Sequence, residues 1–138
     1  MIPRTAAETL KILARGYPVV AVTGPRQSGK TTLVRAAFPQ KPYVSLEDPD
    51  QREFAQDDPR RFLGRFADGA VLDEVQRCPA LFSYLQGRVD EDRRSGLFIL
   101  TGSQQFGLLS GVTQTLAGRV GFVRLLPFSL PELQAAAR

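Results

Sequence analysis

Histidine is absent from the 138 residues, and cysteine occurs once, at Cys78. Without an imidazole, Ser-His-Asp and Cys-His catalysis, histidine-ligated zinc and a histidine general base are excluded together. Any chemistry falls to Asp, Glu, Lys, Arg, Ser or Thr. A single thiol forms no intrachain bridge, which excludes a disulfide-stapled mini-protein. Cys78 stands between Arg77 and Pro79 with no imidazole beside it, and reads as inert. Long apolar runs are also missing. Val19–Val22 and Leu97–Leu100 fall far short of the roughly 20 residues that a membrane-crossing helix needs. The first residues carry Arg4, Glu8 and Lys11 and no apolar stretch of the secretory type. The expected compartment is the cytosol, with no membrane partner. Internal repeats and low-complexity linkers are absent as well.

Charge of one sign is not in large excess. Eighteen Lys and Arg face 14 Asp and Glu, and 43% of the residues are hydrophobic, which excludes a disordered tail. The basic surplus would suit a nucleic-acid partner. However, the basic residues are scattered and alternate with acids, as in Asp57-Asp58-Pro59-Arg60-Arg61 and Asp90-Glu91-Asp92-Arg93-Arg94. A mixed-sign solvated surface accounts for most of that pattern.

What is present reads as one domain with alternating elements. Thr5 and Glu8 form a capping box for a helix with Leu10 and Leu13 at helical spacing, stopped by Gly16. Val19-Val20-Ala21-Val22-Thr23 is a strand buried on both faces, Gly24 to Gly29 a loop, and Lys30 to Ala37 a helix. Tyr43–Leu46 is the second strand. Helices follow near Gln51–Gln56 and from Asp58-Pro59, where proline suits the first helical position. Ala70–Asp73 is the third strand, and Pro79 opens a helix carrying Phe82, Leu85 and Val89. Leu97–Thr101 and Val120–Leu125 are the fourth and fifth strands, separated by a helix over Gln104–Ala117 that contains Gly107 and Gly111. Pro127 closes the fifth strand, and Leu130–Ala136 begins a last helix. The alternation predicts an α/β fold: a five-stranded parallel sheet with helices on both faces. Ending inside a helix, residues 1–138 read as the core of a longer protein.

The strongest motif is Gly24-Pro25-Arg26-Gln27-Ser28-Gly29-Lys30-Thr31, a G-x-x-x-x-G-K-[ST] loop between a buried strand and a helix. A phosphate chain needs converging backbone N–H donors. Glycines let the backbone approach, and the helix start turns its positive dipole end to the anion. Lys30 is placed to reach β- and γ-phosphates, and the Thr31 hydroxyl to ligate Mg²⁺. Asp73, ending the apolar run Val71-Leu72, is the expected Mg²⁺ carboxylate, and Glu74 the group that orients an attacking water. A solvated pair of turn acids is the plain alternative. Thr101 and Ser103 flank Gly102 at the end of the fourth strand, where hydroxyls would face the γ-phosphate; the alternative is a turn that caps the next helix. Arg119 is a candidate to stabilise charge on the transferring phosphoryl group, within the chain or across a homo-oligomer interface, against a plain surface arginine.

Taken in order, the phosphate loop with Thr32-Leu33, Val44-Ser45-Leu46-Glu47-Asp48-Pro49, Asp73-Glu74-Val75-Gln76-Arg77-Cys78-Pro79, Leu100-Thr101-Gly102-Ser103, Leu116-Ala117-Gly118-Arg119 and Leu126-Pro127-Phe128-Ser129 resemble the bacterial and archaeal AAA-type ATPases with a G-x-RQ-x-GKTTL loop and a DE-x-Q box. The resemblance runs from about Arg4 to Glu132. It implies a P-loop NTPase fold of the ASCE, AAA-like kind, ATP with Mg²⁺, and Glu74 as catalytic carboxylate. It also implies a C-terminal domain after the core, absent from these residues. Three functions are weighed. The first is a Mg²⁺-dependent ATPase. The second is a nucleotide-dependent switch or DNA-associated regulator with little turnover. The third is a P-loop small-molecule kinase, which the adjacent Asp73-Glu74 pair disfavours.

Overall fold

Valine-rich Val19–Thr23 enters the centre of the molecule as a strand with every residue buried. The computed structural model describes residues 4–25, 29–102 and 116–125, with side chains described from Ala7 onward. Its elements in chain order are α1 (Arg4–Gly16), β1 (Val19–Thr23), α2 (Lys30–Ala37), β2 (Tyr43–Ser45), α3 (Pro49–Asp57), α4 (Pro59–Gly64), β3 (Ala70–Asp73), α5 (Leu81–Glu91), β4 (Phe98–Gly102) and β5 (Val120–Arg124). The sheet order is β2-β3-β4-β1-β5, and each neighbouring pair is parallel. Ala21 of β1 lies between Leu100 of β4 and Phe122 of β5. The expected α/β sheet is therefore the observed one.

Alternation along β1 splits the core in two. Val19 and Ala21 pack with Phe62 and Leu63 of α4 and with Leu81 and Leu85 of α5. Val20 and Val22 pack on the other face with Leu10 of α1 and Leu33 and Val34 of α2. The path from β1 to β2 runs outward past two strands, while β2 to β3 to β4 runs back. Right-handed crossovers in opposite directions place their helices on opposite faces, and the two clusters follow that rule.

Caps set several boundaries. Asp48 accepts a hydrogen bond from the Asp50 N–H at 2.9 Å and starts α3 with Pro49 at its first position. Asp58 does the same for α4, accepting from the Arg61 N–H, with Pro59 following. The cap at Asp48 also shortens β2: the strand ends at Ser45, not at Leu46 as expected, because Leu46 and Glu47 already turn toward α3. Pro79 does not open α5; it lies in a turn, and the helix begins at Leu81. The α4 end is tied to α5 by Arg88, which donates to the carbonyls of Leu63, Phe66 and Ala67 at 2.9, 2.6 and 3.0 Å. At the start of β3, Gly69 has φ 85°, and a Cβ there would sit 1.6 Å from the Leu97 carbonyl oxygen. Only glycine lets β3 come this close to the start of β4.

Some expectations fall outside the described residues. These are Arg26, Gln27 and Ser28, Ser103, the helix from Gln104, Pro127, and the helix from Leu130; Thr5, expected to cap the first helix, instead lies within α1, which begins at Arg4. The described end of that middle segment, residues 116–119, is a bend and turn leading into β5.

Candidate functional site

Parallel pairing lines up the carboxyl ends of β1, β4 and β3. Thr23 pairs with Gly102, Val22 with Thr101, and Leu72 with Leu100. Ligands of open parallel sheets sit beyond such ends. Five polar residues are buried there: Thr23, Lys30, Asp73, Glu74 and Thr101, each at most 5% exposed. Burying a charge without a partner is costly, so their partners matter.

Gly29 precedes α2 at φ 80°, and no side chain caps the helix. Its first turn therefore keeps backbone N–H groups for an anion. Lys30, the first residue of α2, points its ammonium inward. It donates to the Pro25 carbonyl at 3.3 Å and pairs with Glu74 Oε2 at 3.2 Å. Thr31 Oγ1 donates to Asp73 Oδ1 at 3.0 Å. The Thr101 hydroxyl also donates to Asp73 Oδ1, and accepts from the Glu74 N–H at 2.9 Å. Thr101 thus reaches the site through both acids. Thr32 is exposed on the next position of α2, and Gly24 donates its N–H to the Gly102 carbonyl at 3.2 Å.

Glu74 holds the left-handed conformation, φ 55° and ψ 49°, and no other non-glycine residue does so among the described residues. That geometry costs about 1–3 kcal/mol and persists where surroundings impose it, commonly at functional sites. Here the Thr101 hydroxyl, the Lys30 ammonium and a 3₁₀ turn over Val75–Arg77 hold it. The turn brings Gln76 back, so that Nε2 donates to Glu74 Oε1 at 2.7 Å.

Oxygen donors here suit a hard divalent cation. Thr31 Oγ1 and Asp73 Oδ1 stand 3.0 Å apart. An octahedral magnesium site with bonds of roughly 2.0–2.1 Å has an oxygen–oxygen edge of about 2.9 Å. Lys30, Asp73 and Glu74 together bury one positive and two negative charges, which an added cation would balance. Among the described residues no group of three or more Asp, Glu, His or Cys side chains forms a metal cage. A magnesium ion held by one or two protein oxygens, with phosphates and water completing its shell, is the habit that matches.

Two residues of the site were not read from the sequence. Tyr43, expected only as a strand residue, donates its phenol to Asp73 Oδ2 at 2.5 Å. Burial and that hydrogen bond push its pKa up to about 12. Ser45 pairs with Asp73 in register, so Tyr43, two residues earlier on the same strand face, reaches the carboxylate diagonally. Gln76 appears in the DE-x-Q box, but nothing local to the sequence aims its amide. Tyr43→Phe is expected to loosen Asp73 and to weaken the Mg²⁺ dependence of nucleotide binding by about 10–100-fold. A Mg²⁺ titration with a fluorescent ATP analogue measures this; an unchanged midpoint would remove Tyr43 from the site.

Arg119 is not brought to this cluster. Its carbonyl accepts from the Val19 N–H at 3.1 Å, at the start of β1. The phosphate loop follows the other end, about 13 Å away at 3.3 Å per residue. Its guanidinium pairs with both oxygens of Asp90 at 2.6 and 3.1 Å, and donates to the Ala117 carbonyl at 2.9 Å. That pairing holds the Asp90 carboxyl below its usual range. Cys78 is buried, and burial pushes its thiol pKa up, consistent with an inert thiol. Among the described residues no helix is long and apolar enough to cross a membrane.

Residues 16–134 match the protein family described as an AAA domain. The chain is 35% identical over 137 residues to an uncharacterised protein of Mycobacterium bovis and equally to one of Mycobacterium tuberculosis. Each match covers 97% of this chain and 31% of the relative, so the chain spans about a third of their length. Among solved structures, a DNA replication initiation factor superposes with a TM-score of 0.59 at 20% identity, over 87% of this chain and 43% of the other. A Walker-type ATPase of Pyrococcus abyssi gives 0.57 at 20% identity, over 89% and 53%. AMPPCP-bound DnaA from Aquifex aeolicus gives 0.54 at 20% identity, over 88% and 44%. At these identities the likeness concerns the fold.

Proposed function

The chain belongs to the AAA-domain family, and from that premise we propose that it binds ATP with Mg²⁺ at the ends of β1, β3 and β4 and hydrolyses it. The observation that carries the reading is the buried meeting of Lys30, Thr31, Asp73 and Glu74, held by Thr101. Gly24, Pro25 and Gly29 supply backbone to the phosphates, Thr32 lies beside them on α2, and the motif residues Arg26, Gln27 and Ser28, with Ser103, are assigned to nucleotide binding on the sequence alone. Lys30 exchanges Glu74 for the β- and γ-phosphates. Thr31 and Asp73 hold Mg²⁺, which when bound neutralises charge on the phosphate oxygens. Once Lys30 has left it, Glu74 orients a water in line with the γ-phosphorus and accepts its proton. Tyr43 and Thr101 keep Asp73 turned toward Thr31.

A second reading, a switch that holds ATP with little turnover, is favoured by one feature. In the resting site both Glu74 oxygens are taken, one by Lys30 and one by Gln76. Steady-state phosphate release in Mg²⁺ and in chelator, with and without duplex DNA, separates the readings. Hydrolysis predicts multiple turnovers that chelator abolishes. Stoichiometric retention of intact ATP would assign the switch, and phosphate release indifferent to Mg²⁺ would overturn the site.

For Arg119 the proposal narrows to a finger toward the nucleotide of a second copy, since its own site is a strand's length away. Arg119→Ala is then expected to leave ATP affinity unchanged and to remove the part of turnover that rises with protein concentration. Such a finger is worth about 10³–10⁵ in rate. Turnover per molecule that is independent of concentration and of Arg119→Ala would remove the role.

A further inference from the structure

We infer that Gln76 is a positioning residue for Glu74, holding one carboxylate oxygen so that the other is offered to the attacking water. The inference rests on the reading of this site as an ATP hydrolase. Its motive is an asymmetry in how the carboxylate is held. Oε1 accepts from Gln76 Nε2 at 2.7 Å, and Oε2 pairs with Lys30 at 3.2 Å. The two partners differ in what phosphate does to them. Lys30 is drawn to an incoming phosphate chain; the neutral amide is not. Binding therefore strips Oε2 and leaves Oε1 held. The terminal torsion of a glutamate side chain is broad and two-fold, so without Gln76 nothing on the described residues fixes which oxygen faces the water.

Gln76 is set up for this by its backbone. It occupies the 3₁₀ turn over Val75–Arg77, between Val75 and Cys78, both fully buried in the core under β3 and α5. The turn closes with Arg77 N–H on the Glu74 carbonyl at 3.1 Å and Cys78 N–H on the Val75 carbonyl at 3.0 Å. Both ends of the turn are hydrogen-bonded, which fixes the backbone from which the amide reaches Glu74.

The amide is also poorly served as a structural group. Gln76 Oε1 is buried and has no hydrogen-bond partner among the described residues. Turning the amide over would set oxygen against oxygen at Glu74, so Nε2 is the atom that must face the carboxylate. A buried unmade acceptor costs free energy that an apolar side chain of similar size would avoid. An apolar side chain would remove that cost but leave Glu74 Oε1, itself buried, without its donor. The one interaction that explains glutamine is the one to Glu74.

Gln76→Leu in the full chain tests this, with Gln76→Met beside it in case the branched side chain fails to fold. A positioning role predicts kcat lowered about 10–100-fold with unchanged KM and ATP affinity, while a lowered thermal midpoint is expected under either role because Glu74 Oε1 loses its donor. In a Glu74→Gln background the same substitution is expected to cause no further loss, because there is no carboxylate left to aim. A merely structural role would act on kcat equally in both backgrounds, and either that result or an unchanged kcat in the single variant would overturn the inference. The parent reading fails separately. If Glu74→Gln alone leaves turnover intact, Glu74 is not the water-orienting group, and this role falls with it.

Discussion

Glu74→Gln is expected to lower ATP turnover by about 10²–10⁴-fold while leaving nucleotide bound at least as tightly as before. The amide matches the carboxylate in shape, so the left-handed turn and the Thr101 bond to its N–H are retained. What it lacks is the basicity to take a proton from water. The affinity prediction comes from the resting site. Lys30 is 2% exposed and pairs with Glu74 at 3.2 Å, so an incoming phosphate competes with a carboxylate for the same ammonium. A neutral amide competes less. The gain should therefore appear with ADP as well as with ATP, which separates it from simple trapping of unhydrolysed ATP. Single-turnover phosphate release and titration with fluorescent ATP and ADP analogues measure both arms. Turnover equal to the wild type, or loss of both affinities, would show that Glu74 does not have this role.

Local pattern carried much of this architecture. The β-branched run Val19–Thr23 and the helix Lys30–Ala37 have the bounds expected for them, because burial on both faces and the glycine before Lys30 act within a few residues. The proline starts after Asp48 and Asp58 are equally local. What escaped was set by register. Tyr43 and Asp73 are 30 positions apart and meet only because β2 lies beside β3 with Ser45 opposite Asp73. That adjacency is a property of the sheet order β2-β3-β4-β1-β5, in which β1 and β2 are not neighbours. Arg119 escaped for the same reason. The sequence left it acting within the chain, acting across an interface or lying on the surface, and pairing of Val19 with Val120 sets it at the strand-start edge beside Asp90. Glu74 escaped differently: no residue type announces a left-handed glutamate, and only contacts from β4 and α2 hold it there.

Lys30→Ala is expected to abolish nucleotide binding at concentrations that saturate the wild type, a loss of at least about 100-fold. Charge-assisted hydrogen bonds are worth about 1.5–3 kcal/mol each, and every 1.4 kcal/mol is about tenfold in affinity. The ammonium is the one described buried cation at the site, and its removal leaves Asp73 and Glu74 facing the incoming phosphates. Repulsion then adds to the lost contact. The same substitution also harms the fold. Glu74 stays buried with Oε2 unpaired, and removing one partner of a buried ion pair costs about 3–5 kcal/mol. A loss of binding in Lys30→Ala therefore has two sources, which a second variant separates. In Lys30→Ala/Glu74→Gln the stranded charge is gone, so the thermal midpoint should recover most of what the single variant lost. Nucleotide affinity should not recover, because the amide supplies no positive charge to the phosphates. Recovery of stability without recovery of binding would place the lysine in direct contact with the phosphate chain. Recovery of both would mean that Lys30 served only to neutralise Glu74, and that the phosphates are held by the backbone of the loop alone.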